Sequence, residues 1–180
     1  MKKWLIGSVV GAIIVFAWQA ASWMFLPTHD STMKYTANQD QILSTLSANL
    51  TEDGMYMLPS APTRKEQQDM MESTIGKPWA SVIYHKSMRG DMVMPMIRSF
   101  LVDIFLVISL IYMLTRGGIP IARRAFAGSV ALGLFSFLWG PYTGHIFFEL
   151  PWHMIWGDLI DSVVAWGLCG LWVGWWLNRK

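Results

Sequence analysis

The sequence predicts a mainly α membrane protein, a four-transmembrane-helix bundle with a small α+β extracytoplasmic cap between helices 1 and 2. Three observations predict it. Four apolar segments, residues 4–26, 94–114, 125 to about 147 and 157–177, are each long enough to cross a hydrocarbon core of roughly 30 Å. The positive charges flanking them alternate between dense and absent. Of 180 residues, 53% are hydrophobic and 14% charged, and 11 are tryptophan, more apolar surface than a soluble core of this size can hide. The domain organisation that follows is an N-terminal transmembrane helix (1–26), the cap (27–93), and a three-helix remainder with a short basic cytoplasmic loop (94–180).

The first span follows Lys2 and Lys3 and is bracketed by Trp4 and Trp23, 19 residues apart. At about 1.5 Å per residue this separation is roughly 28 Å, and indole prefers the headgroup boundary, so both helix ends are expected to be anchored. Ala20-Ala21-Ser22 imitates a cleavage site, but the apolar run is longer than a secretory core and reads as an uncleaved anchor.

In the cap, Asn38 is placed to cap a helix to about Leu50, with Ile42, Leu43, Leu46 and Leu50 on one face. Glu52-Asp53-Gly54 turns the chain into a strand over 55–58. After a proline-bounded linker, Thr63 caps a second helix to about Thr74, Gly76 ends it, and residues 79–86 read as a second strand. Cys169 is the only cysteine, so no disulfide can brace the cap, and a unit this small leans on the membrane helices or on another subunit.

The second span opens at Pro95 and carries Asp103 two turns further on, roughly 12 Å in, with Ser99 on the same face and Arg98 near the membrane boundary. A charge in the bilayer costs at least a few kcal/mol. Asp103 is therefore either paired structurally, with Arg98 or a neighbouring helix, or a proton or ion site. Arg116, Arg123 and Arg124 make the connection to the third span basic, whereas residues 139–156 hold no lysine or arginine.

That last connection and the start of the fourth span hold the densest polar group, His145, Glu149, His153, Asp158 and Asp161. Imidazole and carboxylate bind zinc, manganese or iron, and they also relay protons. Against convergence, Pro151 interrupts a helical path from His145 and Glu149 to His153, and no HExxH motif is present. Asp158 and Asp161 also fit as N-cap and N3 residues of a helix starting near Gly157. Trp156 and Trp175 bracket this fourth span, and Arg179 and Lys180 follow it.

By the positive-inside rule both termini and the short basic loop are cytoplasmic, and the long 27–93 segment crosses regardless of its charge. All 12 acidic residues then fall outside or in the outer half of a span, a regularity not used in the assignment. Gly7 with Gly11, and Gly167, Gly170 and Gly174, are spaced for close helix packing within the bundle or in a homo-oligomer. His85 with Met88, Met92, Met94 and Met96 offers soft ligands suited to Cu(I), although methionine is also a flexible apolar filler and this chain has 13. A net charge of +2 gives no footing for a nucleic-acid partner, and no internal repeat points to an inverted-repeat transporter.

The stretches Tyr35-Thr36-Ala37-Asn38-Gln39-Asp40, Gly76-Lys77-Pro78-Trp79-Ala80, Tyr84-His85-Lys86-Ser87-Met88, Trp166-Gly167-Leu168 and Gly174-Trp175-Trp176 resemble an uncharacterised family of small four-span bacterial inner-membrane proteins. The resemblance implies a bacterial cytoplasmic membrane and brings no activity, cofactor or active-site residue. No nucleophile with its base, phosphate loop or nucleotide motif is visible. The function expected is a non-enzymatic membrane scaffold or accessory subunit, with no cofactor, that binds other membrane or periplasmic proteins or copies of itself. The alternative is a metal- or proton-handling protein using Asp103, His145, Glu149, His153, Asp158 and Asp161 at its outer face.

Overall fold

A computed structural model describes residues 2–116 and 121–179. Residues 117–120 of the basic loop, the side chains of residues 121–123, and Met1 and Lys180 lie outside the described residues. The elements in order are α1 (Lys2–Met24), α2 (Gln39–Asn49), β1 (Gly54–Leu58), α3 (Arg64–Thr74), β2 (Ala80–Tyr84), α4 (Val93–Thr115), α5 (Ile121–Phe137), α6 (Thr143–Phe148) and α7 (Trp152–Asn178). They form two units, Met1–Lys34 with Asp91–Lys180, and Tyr35–Gly90.

The first unit holds four helices long and apolar enough to cross a membrane: Lys2–Met24, Val93–Thr115, Arg124–Phe148 and Trp152–Asn178. The third is compound. Between α5 and α6 the backbone widens into a π-helical turn, Leu138–Tyr142, around Pro141. In α-helical register the proline ring would press on the carbonyl four residues back and supply no amide hydrogen; the wider turn relieves both. Thr143 Oγ1 donates to the Leu138 carbonyl at 3.0 Å across this turn.

Contacts along the helices fix their directions. Gly7 lies against Trp176 and Ile111, and Gly11 against Val107 and Cys169, so α1 runs antiparallel to α4 and α7. Gly133 against Ser162 and Gly167 against Phe126 set α5 antiparallel to α7. One end of the unit therefore gathers Lys3, Arg124 and Arg179, and the other gathers Trp23 and the π turn.

In lipid no hydrophobic force draws helices together, so close backbone packing and hydrogen bonding must. A Cβ at Gly11 would stand 2.8 Å from Val107 Cγ1, one at Gly170 2.8 Å from the Ala125 carbonyl oxygen, and one at Gly133 only 2.1 Å from the Ser162 carbonyl oxygen. Gly174 is also buried on α7. Around these contacts Ala12, Val15, Val107, Leu110, Ile111, Ala165, Cys169 and Val173 form the buried core. Val102, Phe105 and Leu171 face outward, as side chains solvated by lipid do. At the Lys3 end, Trp176 Nε1 donates to the Lys3 carbonyl at 2.7 Å, Trp172 Nε1 donates to the Gly7 carbonyl at 3.1 Å, and Arg179 stacks 4.3 Å over Trp175.

The second unit is an antiparallel pair, β1 with β2, in register from Gly54 opposite Tyr84 to Leu58 opposite Ala80, with α2 before it and α3 in its connection. Thr63 caps α3, its hydroxyl accepting from the Glu66 amide at 3.3 Å, and Gly76 ends that segment at φ +78°. Among its residues only Tyr84 is buried, and α2 buries no side chain at all.

Asp53 joins the two ends of the hairpin: one oxygen accepts from the Lys86 amide at 3.0 Å and the other faces His85 Nδ1 at 3.3 Å. The amide bond, and after it His85, hold the Asp53 carboxyl below its ordinary value of 3.8. A carboxylate depressed in the folded state contributes stability that is present above the unfolded pKa and lost as pH falls through the folded one. The Lys86 amide resonance should accordingly titrate on the acid side of 3.8. That step is expected to vanish in Asp53→Asn, and a step that persists in the variant would assign it to another group.

The sequence placed residues 27–34 in the cap, but the chain up to Lys34 groups with the helices. The reason is local: Ser22 and Thr28 bond side chain to side chain at 2.8 Å, turning Pro27–His29 back onto the α1 end.

Candidate functional site

The turn after α1 brings His29 into the bundle. Its ring stacks on Trp23 at 3.9 Å between centroids and nearly parallel, at 10°. His29 Nε2 donates to Asp161 Oδ2 on α7 at 3.0 Å, and Trp18 Nε1 donates to Asp161 Oδ1 at 2.9 Å. The side chains of His29 and Asp161 are 5% and 15% exposed, so this is a largely desolvated charge-assisted pair. Gly157 makes room for it, since a Cβ there would lie 2.5 Å from His29 Cε1.

Asp161 also borders an open cavity of about 430 Å³ lined by residues of α1, α4, the α5–π turn and α7. Asp158 and Asp161 supply two carboxylates to its wall, Gln19 an amide, and Ser99, Ser136 and Ser162 hydroxyls, while Trp23, Phe137, Pro141 and Trp166 supply apolar surface. No lysine or arginine lines it among the described residues. Asp158 receives no hydrogen bond from a described residue; the charged groups nearest it are His29 and Asp161.

Asp103 sits deeper, one helical turn past Ser99 on α4, and is 3% exposed. Its neighbour is the side chain of Gln19, which also lines the cavity, and its Oδ2 has no hydrogen-bond partner. Arg98 is exposed and makes no ion pair with it, because it stands near the start of α4 on the outer surface. Of the two structural partners expected from sequence, Arg98 or a neighbouring helix, it is the neighbouring helix that Asp103 meets, through Gln19 of α1.

The other expected ligands do not converge. α7 begins at Trp152 with Pro151 as its N-cap, so Asp158 and Asp161 lie in its second and third turns and are not the N-cap and N3 residues. His145 Nδ1 bonds the Leu150 carbonyl at 2.6 Å between the rings of Tyr142 and Trp152. Glu149 is exposed at φ +49°, where the chain reverses between α6 and α7. His153 uses its carbonyl to accept from Ser31 Oγ at 3.3 Å. Among the described residues no three His, Cys, Asp or Glu side chains are grouped to hold a metal ion.

The thioethers are dispersed too. Met88 is 98% exposed in the second unit, and His85 is engaged with Asp53. At 100° per residue, Met92 and Met96 project together while Met94 points to the other side of α4.

The residues that sequence reasoning missed are Trp18, Gln19, His29 and Gly157. Each looks ordinary by itself; His29 and Asp161 are 132 positions apart, and only the antiparallel packing of α1 on α7 unites them. No family model, curated protein or solved structure matches the chain, so the site is defined by its own residues.

Proposed function

We propose that the protein resides in a bacterial cytoplasmic membrane with both termini inside, and that it binds a cation or proton in the cavity from the outer side. It acts by binding, as a non-enzymatic subunit. The observation that carries this reading is the pair Asp158 and Asp161 on a cavity wall without a lysine or arginine among the described residues. Because Trp18 and His29 already engage both oxygens of Asp161, it is the surplus carboxylate of Asp158 that gives the wall its affinity for positive charge.

The scaffold reading has its own observation, the unburied apolar face of α2, on which Ile42 and Leu43 are 47% and 57% exposed. This face suits contact with a membrane or periplasmic subunit or with a second copy. One preparation of the full chain in mild detergent tests both readings. Tryptophan emission should respond to acid or to sodium, manganese or ammonium chloride, and lose the response in the double variant Asp158→Asn, Asp161→Asn; indifference to all of them ends the cation reading. A defined partner or second copy that stays bound to the wild type and is lost on Leu43→Glu supports the scaffold reading, whereas a monomer free of partners removes it.

A further inference from the structure

We infer that the cavity is a binding site for a small organic ammonium ion, with Asp158 as its counter-ion and the indoles of Trp23 and Trp166 as its apolar walls. The inference rests on the cation-binding reading above and names the class of cation.

Charge selects the sign of the ligand. Both oxygens of Asp161 are engaged, one by Trp18 and one by His29, which leaves Asp158 as the carboxylate without a donor from any described residue. Asp103, which contacts the lining residue Gln19, is almost wholly buried and does not itself line the cavity. Asp158 is half-buried on the cavity wall, and a ligand carrying positive charge with N–H or polarised C–H groups supplies the donor that the protein does not.

Size and surface select the kind of cation. About 430 Å³ falls within the usual range for small-molecule sites and far exceeds what a proton or a bare metal ion fills. A metal would also need several ligands at fixed short distances, and no such trio exists among the described residues. One face of the Trp23 indole is covered by His29, so Trp23 and Trp166 serve as apolar surface against which an alkyl or aryl substituent packs. Ser162, beside Asp158 on the cavity wall, places a hydroxyl acceptor next to the carboxylate.

The test uses the full chain in lipid nanodiscs and calorimetric titration with phenethylammonium chloride, its neutral isostere 2-phenylethanol, sodium chloride and manganese chloride. Saturable binding of the ammonium, at least tenfold tighter than that of the alcohol, is expected, with a tenfold or greater loss in Asp158→Asn. Equal binding of ammonium and alcohol would overturn the inference, as would an Asp158→Asn protein that folds and binds normally. If that variant fails to fold, the wild-type comparison of ammonium with alcohol decides alone. Binding of sodium or manganese without the ammonium overturns the ligand class and leaves the cation reading standing; binding of no cation removes both.

Discussion

Gly133→Ala is expected to destabilise the helical unit by about 1–3 kcal/mol, the usual cost of over-packing, and possession of a larger side chain there should prevent assembly. The added carbon would fall 2.1 Å from the Ser162 carbonyl oxygen, which belongs to the α7 backbone and cannot rotate away. Relief requires α5 and α7 to separate along their whole contact. Gly167→Ala on the facing helix is the control: its Cβ would meet Phe126 and Val130 at 3.5 and 3.7 Å, ordinary contact distances. There the gain in helix propensity, about 0.5–1 kcal/mol, should leave stability unchanged or slightly raised. Unfolding midpoints in a graded denaturing-detergent titration check the pair. Equal midpoints for the two variants would mean that α5 and α7 do not approach as closely as described.

Asp161→Leu is expected to cost about 2–4 kcal/mol, because it leaves His29 Nε2 and Trp18 Nε1 without their acceptor in a desolvated site. Asp161→Asn retains a carbonyl that can accept from Trp18, so about half that loss is expected. The same substitution to leucine should free the Pro27–His29 turn and unstack His29 from Trp23, which limited proteolysis after α1 and a change in tryptophan emission would report. Equal stability of the Leu and Asn variants would show that Asp161 contributes volume and not an acceptor.

Much of the architecture was legible because it obeys short-range rules. An apolar run of about 20 residues has one solution in lipid, the helix, since the backbone must satisfy its own hydrogen bonds there. The cap elements were legible from punctuation: Thr63 and Gly76 delimit α3 to within a residue, and Gly54 opens β1. Where a local signal was ambiguous, the expectation failed. Asp158 and Asp161 resemble a helix start, yet α7 begins at Trp152, five residues before Gly157, with Pro151 as its N-cap, because proline fits a helix N-terminus and the apolar pattern tolerates the extension. The cluster His145, Glu149 and His153 was adjacent in sequence but dispersed by the reversal at Glu149.

Sequence alone determined the solvent of this chain, the number of its crossings and the composition of its cap, because transfer free energy and hydrogen-bond satisfaction act residue by residue. Which carboxylate meets which partner was decided only in three dimensions. His29 and Trp18 reach Asp161, Gln19 meets Asp103, and Gly157 clears space for an imidazole because antiparallel packing brings residues far apart in the chain opposite one another. Pairings of that kind depend on helix rotation and inter-axial distance, which are set jointly by glycines on opposing helices and leave no periodic trace along the chain.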